Sequence, residues 1–335
     1  MPQVTLAQEG IDALFGARDQ NLKRIERAFG VVLSARGNQA SIAGEPEKTV
    51  VVEHLLREFS ALMTQGFQVR PRDVDTAIRV LKETPDASLV QFFSGDGILS
   101  SVRRLVNPRG LAQQMYLKAM ADSDMVISIG PAGTGKTYLA VAMAAAALRE
   151  KKIRRIVLTR PAVEAGEKLG FLPGDLAAKL NPYVRPVYDA LGELIDFEDV
   201  LRLEEAGVIE IAPLAYMRGR TLSQAFVILD EAQNTTVSQM KMFLTRLGEG
   251  SRMAVTGDPS QVDLEYHQKS GLADAVARLQ GFQDVGVVEF GIADICRHPL
   301  VEQIVRAYDA PPRGAPGGEA PAGERPRRRS GDTEG

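Results

Sequence analysis

The sequence predicts an α/β protein in which a mostly parallel sheet is flanked by helices, with a small α+β domain before it. Three observations support this fold class. Short β-rich runs alternate with helical stretches between about residues 107 and 308. Each run is almost continuously apolar, which is typical of strands buried on both faces of a parallel sheet. The first 95 or so residues show a different pattern, in which helices surround two short strands.

The amino-terminal elements follow from apolar spacing and turn residues. Leu22, Ile25 and Phe29 fall on one face of a helix that Gly30 ends, because glycine often follows the last periodic residue of a helix. Two β-rich runs then meet at a Gly-Asn turn. The elements predicted here are helix Asn21–Phe29, strands Val31–Ala35 and Ala40–Ala43 joined at Gly37-Asn38, a helix through Val52–Met63, a helix from about Arg72 to Lys82, and a linker at Phe93–Gly97.

The remaining elements build the parallel sheet and a tail. The predicted strands are Met125–Ile129, Arg155–Thr159, Val208–Ile211, Phe226–Leu229, Arg252–Thr256 and Val285–Phe290. The last 25 residues contain five prolines and six glycines with almost no large apolar side chain, so we expect them to be disordered. A basic cluster there, Arg325 with residues 327–329, is either solvated or an RNA-touching arm. The predicted domains are therefore 1–96, 97–310 and a tail at 311–335.

Composition favours a soluble, cytoplasmic protein. Apolar residues make up 44% and charged residues 25% of the chain, which argues against a fibre or a wholly disordered protein. The net charge of -3 excludes a globally basic nucleic-acid coat but leaves room for a local basic patch. Cys296 is the single cysteine, so no internal disulfide can form, and the scattered histidines lack the spacing of a zinc site. We expect neither a signal peptide nor a membrane span.

The strongest chemical signal is a phosphate-binding loop. The segment GPAGTGKT, residues 130–137, matches the pattern G-x-x-x-x-G-K-[ST] between a predicted strand and a predicted helix. Glycines let backbone N–H groups surround a phosphate, and the following helix presents its positive end to the same anion. Lys136 is expected to reach the β- and γ-phosphates, and the Thr137 hydroxyl to bind Mg²⁺.

Three further segments are predicted to reach the same edge of the sheet. The strand ending at Leu229 is followed by Asp230, placed to hold Mg²⁺, and by Glu231, placed to orient the attacking water. Gln261 follows another strand and is expected at the γ-phosphate or the water, unless its segment is only an Asp-Pro turn. Arg297 is expected to neutralise charge on the transferred phosphoryl group, unless it is a surface residue that caps a helix.

Seven segments in order resemble the successive motifs of the PhoH-like ATPases. They cover about residues 107–308: GPAGTGKTYLAVA, TRPAVEAGEKLGFLPGDL, NPYVRPVYDAL, APLAYMRGRTL, VILDEAQNTT, QMKMFLTRLGEGSRMAVTGDPSQVDL and DICRHPLV. The resemblance implies a RecA-like P-loop NTPase related to the motor domain of superfamily 1 helicases. It implies Walker A and Walker B roles for the loop and for the acidic pair, a GDxxQ element that includes Asp258 and Gln261, and an arginine finger at Arg297. It also implies that Gln113 reads adenine, the alternative being an ordinary helix-surface residue.

The resemblance also bears on partners. The amino-terminal domain looks like the KH-like RNA-binding region that often precedes this ATPase, although it has no GXXG loop. RNA contact by Lys23, Arg24 and Arg27 of its first helix is one interpretation, and a partner-docking module is the other. Residues 159–175 and 217–220 are candidates for RNA contact, the alternative being solvated loops with internal ion pairs.

The resulting prediction is a Mg²⁺-dependent ATPase that acts on or near RNA, alongside a ribonuclease or the ribosome. Helicase activity is left open, and head-to-tail assembly into a homo-oligomeric ring is expected because one RecA-like domain leaves half of a nucleotide cleft uncovered. The rivals are a regulatory nucleotide-binding docking protein and a small-molecule kinase.

The predicted catalytic residues are Lys136, Glu231, Gln261 and Arg297. The predicted ligands of ATP are Gly130, Pro131, Ala132, Gly133, Thr134, Gly135, Lys136, Thr137 and Gln113. Those of Mg²⁺ are Thr137 and Asp230.

Overall fold

The computed structural model describes residues 2–94, 106–161, 185, 187–265, 267–296, 300, 301 and 304. Residues 2–94 are called the amino-terminal region below, and residues 106–296 the sheet region. The contacts within the chain group Met1–Cys296 as one compact body. The predicted domain boundaries near residues 96 and 310, and the predicted tail, lie outside the described residues.

The amino-terminal region places helices against a small antiparallel sheet. Its strands are ordered β1-β3-β2. Its elements are β1 (Gln3–Thr5), α1 (Ile11–Phe15), α2 (Gln20–Phe29), β2 (Val32–Arg36), β3 (Gln39–Ala43), α3 (Pro46–Thr64), α4 (Pro71–Glu83) and α5 (Leu89–Ser94). The long helix α3 buries Val52, Leu55 and Phe59, the residues whose spacing predicts it, in the core of this region.

The sheet region contains six parallel strands in the order β6-β5-β7-β8-β4-β9. Because all the described strand pairs are parallel, the carboxyl ends of the strands meet at one edge. The strands are β4 (Met125–Ile129), β5 (Arg155–Arg160), β6 (Ile209–Pro213), β7 (Ala225–Leu229), β8 (Arg252–Gly257) and β9 (Val285–Glu289). The helices are α6 (Leu111–Asp122), α7 (Lys136–Arg149), α8 (187–194), α9 (Phe197–Glu205), α10 (Val237–Leu244) and α11 (Gly271–Leu279).

Helices cover both faces of this sheet. On one face α6, α7, α8 and α9 pack against alternate strand residues such as Val126, Ile156 and Phe226. On the other face α10 and α11 pack against the residues between them, including Ile127 and Val227. The alternation explains why the strands are apolar throughout, since both faces are buried.

The α/β fold class is confirmed, and all six strands of the parallel sheet lie within two residues of their predicted bounds. Three details of the amino-terminal region differ. Strand β1, which pairs with β3, and helix α1 do not follow from the sequence, because three and five residues are too few for a clear pattern. Phe93 was placed in a linker, but it belongs to α5 and packs against the rings of Phe67 and Phe92. The rest of that predicted linker, residues 95–97, lies outside the described residues.

Candidate nucleotide-binding site

Three neighbouring strands deliver the predicted site residues to one edge of the sheet. The glycine-rich loop joins β4 to α7, Asp230 directly follows β7, and Asp258 directly follows β8. The sheet order places β8 between β7 and β4, and the pairs are parallel. The side chains converge for that reason, although residues 136 and 230 are far apart in sequence. They line a cleft of about 250 Å³ together with Glu231 and Gln261.

The loop needs glycine where the chain turns most sharply. Gly130 has φ 142°, and a Cβ there would lie 2.4 Å from the carbonyl oxygen of Phe290. Gly133 and Gly135 also have positive φ, at 86° and 85°, in the left-handed region that glycine adopts without strain. The loop therefore passes close to the end of β9 and curls before α7 begins at Lys136.

The Lys136 side chain lies against the backbone of its own loop. Its Nζ donates to the carbonyl oxygens of Gly130, at 2.8 Å, and of Pro131, at 2.9 Å. Burial lowers the pKa of this ammonium, and the nearby carboxylates of Asp258 and Asp230 oppose that effect. The Lys136 ammonium is therefore buried at a place where a bound anion, such as a phosphate, would stabilise its charged form.

The best-defined contact in the site joins a hydroxyl to a carboxylate. Thr137 Oγ1 donates to Asp230 Oδ1 at 2.6 Å, and Thr256 Oγ1 donates to the same oxygen at 2.8 Å. Asp230 is 8% exposed, so its carboxylate is fixed at the cleft floor. Hard oxygen donors from a hydroxyl and a carboxylate are what Mg²⁺ takes from a protein when phosphates and water supply the remaining ligands. The donor pair therefore fits Mg²⁺.

No cluster of three or more histidine, cysteine or acidic side chains suited to a metal occurs in the described part of the chain.

Glu231 is held in an unusual backbone conformation beside the cleft. Its φ is 52°, in the left-handed region that costs a non-glycine residue about 1 kcal/mol or more. Arg160, the last residue of β5, donates to Oε1 at 3.0 Å, and Gln233 donates to Oε2 at 2.5 Å. These contacts hold the carboxylate between the ends of two neighbouring strands.

Asp258 links the phosphate loop to Gln261. Its Oδ2 accepts from the backbone N–H of Ala132 at 3.1 Å and from Gln261 Nε2 at 2.6 Å, while its Oδ1 accepts from Ser260. Burial alone would raise the pKa of this carboxyl, but these hydrogen bonds outweigh it and the pKa is lowered. Asp258 is therefore ionised at neutral pH and ties the loop to the residues that follow β8.

Gln113 lies on α6 and is buried against the other side of the loop. It is 5% exposed, so it is not the ordinary surface residue that was the alternative. Its Nε2 donates to the carbonyl of Thr134 at 2.9 Å, and its Oε1 accepts from the backbone N–H of Arg109 at 2.7 Å. Its predicted contact with adenine stays a prediction.

Sequence reasoning missed two site residues, Thr256, which donates to Asp230, and Gln233. Gln233 joins two of the site's segments. It is 1% exposed, and besides holding Glu231 it accepts the backbone N–H of Asp258 at 3.0 Å through Oε1. It thus joins the segments that follow β7 and β8. A single amide two residues after an acidic pair is not a distinctive sequence signal.

Other predicted positions fall elsewhere. Arg297 lies outside the described residues, and so do residues 162–175 of the candidate RNA segment. Arg160 pairs with Glu231, and Arg220 pairs with Glu210 at 2.5 and 2.7 Å, which is the internal pairing that the sequence had left open.

The candidate RNA face of the amino-terminal region is also partly engaged. Arg24 pairs with Asp75 on α4 at 2.8 Å, and Lys23 donates to the carbonyl oxygen of Arg18 at 3.4 Å. Arg27, like Arg24 and Lys23, is exposed. Within the described residues, no helix combines the length and the apolar character that a membrane crossing requires.

Comparisons with known proteins agree with this geometry. A profile of the family described as PhoH-like protein matches residues 105–309. A PhoH-like protein of Mycobacterium bovis is 48% identical over 88% of this chain and 84% of that protein, and one of Bacillus subtilis is 48% identical over 89% and 93%. Protein PhoH of Escherichia coli K12 is 50% identical over 60% of this chain and 57% of its own length.

Among solved structures, the Sulfolobus solfataricus SWI2/SNF2 ATPase core in complex with dsDNA is 16% identical. It covers 44% of this chain and 30% of its own, and its TM-score of 0.29 is too low to support an inference. The profile does not reach the amino-terminal region, whose KH-like character stays a prediction. The profile match and the phosphate loop on a parallel α/β sheet support a nucleotide-binding ATPase. The chain belongs to the PhoH-like protein family.

Proposed function

We propose that the protein hydrolyses ATP with Mg²⁺ in a reaction coupled to RNA. The observation that carries this proposal is the Thr137–Asp230 contact of 2.6 Å at the floor of the cleft beside the phosphate loop. It brings the two expected Mg²⁺ ligands, one from the loop and one from the acidic strand end, to the same point. A cytoplasmic setting belongs to the same proposal, and the single cysteine is consistent with it.

Each residue of the cleft has a distinct task in this reaction. Bound Mg²⁺ would draw charge from the phosphate oxygens. Thr137 and Asp230 would hold the ion, and Thr256 fixes the Asp230 carboxylate by donating to it. Lys136 turns its ammonium from the loop carbonyls to the phosphate chain. Glu231 accepts a hydrogen bond from the attacking water and orients it.

The test is steady-state phosphate release by wild type, Lys136→Ala and Glu231→Gln, with and without single-stranded RNA at fixed salt. We expect both variants to lose at least about 100-fold in kcat. Glu231→Gln should still bind ATP, because it keeps the loop and both Mg²⁺ ligands. Turnover at the wild-type rate in either variant would refute the assigned roles. ADP release without an equal amount of phosphate would instead indicate a kinase.

Coupling to RNA is supported by exposed groups at the catalytic edge of the sheet. Tyr216, which is 50% exposed, and Arg218, which is also exposed, lie in the segment after β6. Strand β6 pairs with β5, whose last residue is Arg160. An exposed aromatic ring and an exposed guanidinium two residues apart suit a single strand, through base stacking and phosphate contact. The ribonuclease or ribosome partner remains part of this proposal. So does a head-to-tail ring in which Arg297 reaches a neighbour's cleft.

A regulatory switch with little hydrolysis is the second candidate, and one observation favours it. The carboxylate that should orient water is instead paired with Arg160 and Gln233. If this pairing restrains Glu231, Arg160→Ala should raise kcat several-fold while KM for ATP stays constant. Arg160→Lys, which keeps the charge, should remain near wild type. A fall in kcat in Arg160→Ala would show that the pair supports hydrolysis.

A further inference from the structure

A second, larger cleft adjoins the phosphate cleft and extends to the amino-terminal region. Its volume is about 860 Å³. Gly133, Gly135 and Tyr138 line both clefts, so the two meet at the phosphate loop. One wall belongs to the sheet region, with Gln113 and Tyr138. The opposite wall is α4 of the amino-terminal region.

Contacts hold α4 against the loop. Arg79 of α4 donates from Nη1 to Sγ of Cys296 at 2.8 Å. The backbone N–H of Cys296 in turn donates to the carbonyl of Gly133 at 2.9 Å. One residue therefore separates α4 from the phosphate loop. Leu111, at the start of α6, also packs against the core of the amino-terminal region.

The chemistry of the cleft suits the sugar and base of a nucleotide. A ligand whose phosphates lie in the loop must place its nucleoside in adjoining space, and this cleft has the size of ordinary ligand pockets. Tyr138 supplies an aromatic ring. Arg72 and Arg79 on α4, and Arg70 directly before it, supply guanidinium groups, which can stack on bases and donate to ring and ribose oxygens. One acidic residue of this wall, Asp75, is already paired with Arg24.

We propose that α4 forms one wall of the nucleoside site, so that the base and ribose of a nucleoside triphosphate bind between α4 and Tyr138. The amino-terminal region then takes part in nucleotide binding within the same chain. This inference rests on the proposed function, because it takes the triphosphate to lie in the loop.

The test compares ATP with inorganic tripolyphosphate, which has the phosphates but no nucleoside. Dissociation constants of both ligands are measured with Mg²⁺ on the full chain and three variants. Thr76→Trp fills the cleft from α4, and Arg79→Met removes a wall guanidinium. Lys82→Met is the matched control, since Lys82 is an exposed cation on α4 that does not line the cleft. We expect Thr76→Trp and Arg79→Met to raise the dissociation constant for ATP about tenfold. In the same two variants, the dissociation constant for tripolyphosphate should change less than about twofold. Lys82→Met should leave both constants unchanged.

Each other outcome counts against the proposal in a recognisable way. If wild type binds both ligands and the two cleft variants bind ATP normally, α4 is not a wall of the site. If the cleft variants bind both ligands equally weakly, the substitutions disturb the loop, and the role of α4 as a wall of the site is again refuted. If wild type binds neither ligand, the proposed function fails with it.

A measurement on wild type alone guards against variants that do not fold. ATP should slow amide hydrogen exchange in α4 more than tripolyphosphate does, because only ATP carries the group that touches α4. Equal protection by the two ligands would overturn the proposal.

Discussion

At the scale of single residues, the phosphate loop depends on one close approach of backbone to backbone. Gly130 has a φ that other residues rarely adopt, and its α-carbon faces the carbonyl of Phe290. Gly219 has a φ of 77°, but a Cβ there would meet nothing within 4 Å. Substitutions at these two glycines therefore distinguish two costs. A positive φ strains the backbone at both positions, whereas steric overlap occurs only at Gly130.

We predict that Gly130→Ala destabilises the protein by about 3 kcal/mol and weakens ATP binding, because the new methyl group forces β9 and the loop apart. Gly219→Ala should cost only about 1 kcal/mol, the strain of a left-handed residue. Chemical denaturation and ATP titration measure both effects. Equal losses of stability in the two variants would mean that the overlap with Phe290 is relieved at no cost.

The residue scale also separates what the sequence could reveal from what it could not. Lys136 and Thr137 were identifiable because they occupy fixed positions in a short local pattern. Asp230 and Glu231 were identifiable because acids at the end of an apolar strand must lie at the ligand edge. The role of Gln233 was hidden, because an amide that bonds to two other segments leaves no periodicity in the sequence.

At the scale of elements, an ion pair fixes the segment that follows β6. Arg220 meets Glu210 of β6 through two parallel contacts of 2.5 and 2.7 Å. The Arg220 hydrogen bond lowers the pKa of the Glu210 carboxyl, against the opposing effect of burial. Paired carboxylates of this kind stabilise a fold only while they are ionised.

We therefore predict a pH-dependent effect of Glu210→Gln. A lowered folded-state pKa means that the pair contributes fully above the unfolded pKa of about 4.3 and is lost as the pH falls through the folded value. The variant should be about 1 kcal/mol less stable at pH 7 and equal to wild type well below pH 4. Urea denaturation at several pH values provides the measurement. Arg202→Gln, which removes a more exposed pair on α9, is the control. A pH-independent loss would assign the effect to packing.

The elements of the two regions differ in how well sequence predicts them. Strands of the parallel sheet are apolar on both faces, so a short continuous run is enough to identify them. Strand β1 has three residues and gains its stability from β3, a partner far along the chain. Helix α5 was taken for a linker at Phe93, because the glycines that follow dominate the local pattern. Both elements depend on tertiary contacts that a local window does not contain.

At the scale of the whole molecule, the proposed ring makes a prediction about mixed assemblies. Lys136→Ala removes the phosphate-binding amine but keeps Arg297, whereas Arg297→Ala keeps the loop and loses the guanidinium. If Arg297 completes a neighbour's site, mixing the two inactive proteins should restore part of the activity. At an interface formed by one chain of each kind, an intact loop then faces an intact arginine.

Phosphate release from the mixture, compared with each variant alone, measures this effect. Up to about a quarter of wild-type activity is expected for random assembly, since half of the loops are intact and half of their neighbours carry the arginine. Complete lack of complementation in exchanging subunits would place Arg297 in the site of its own chain. Full activity in protein that sediments as a monomer would exclude the ring.

The contact between Arg79 and Cys296 gives the molecule a built-in chemical reporter. Because the chain has no other thiol, an alkylating reagent can modify it at one known atom without any engineered residue. That atom accepts a hydrogen bond from a guanidinium of α4, so its rate of alkylation should rise if the helix moves away from the loop. Following this rate during turnover would test whether the amino-terminal region moves during the chemical cycle.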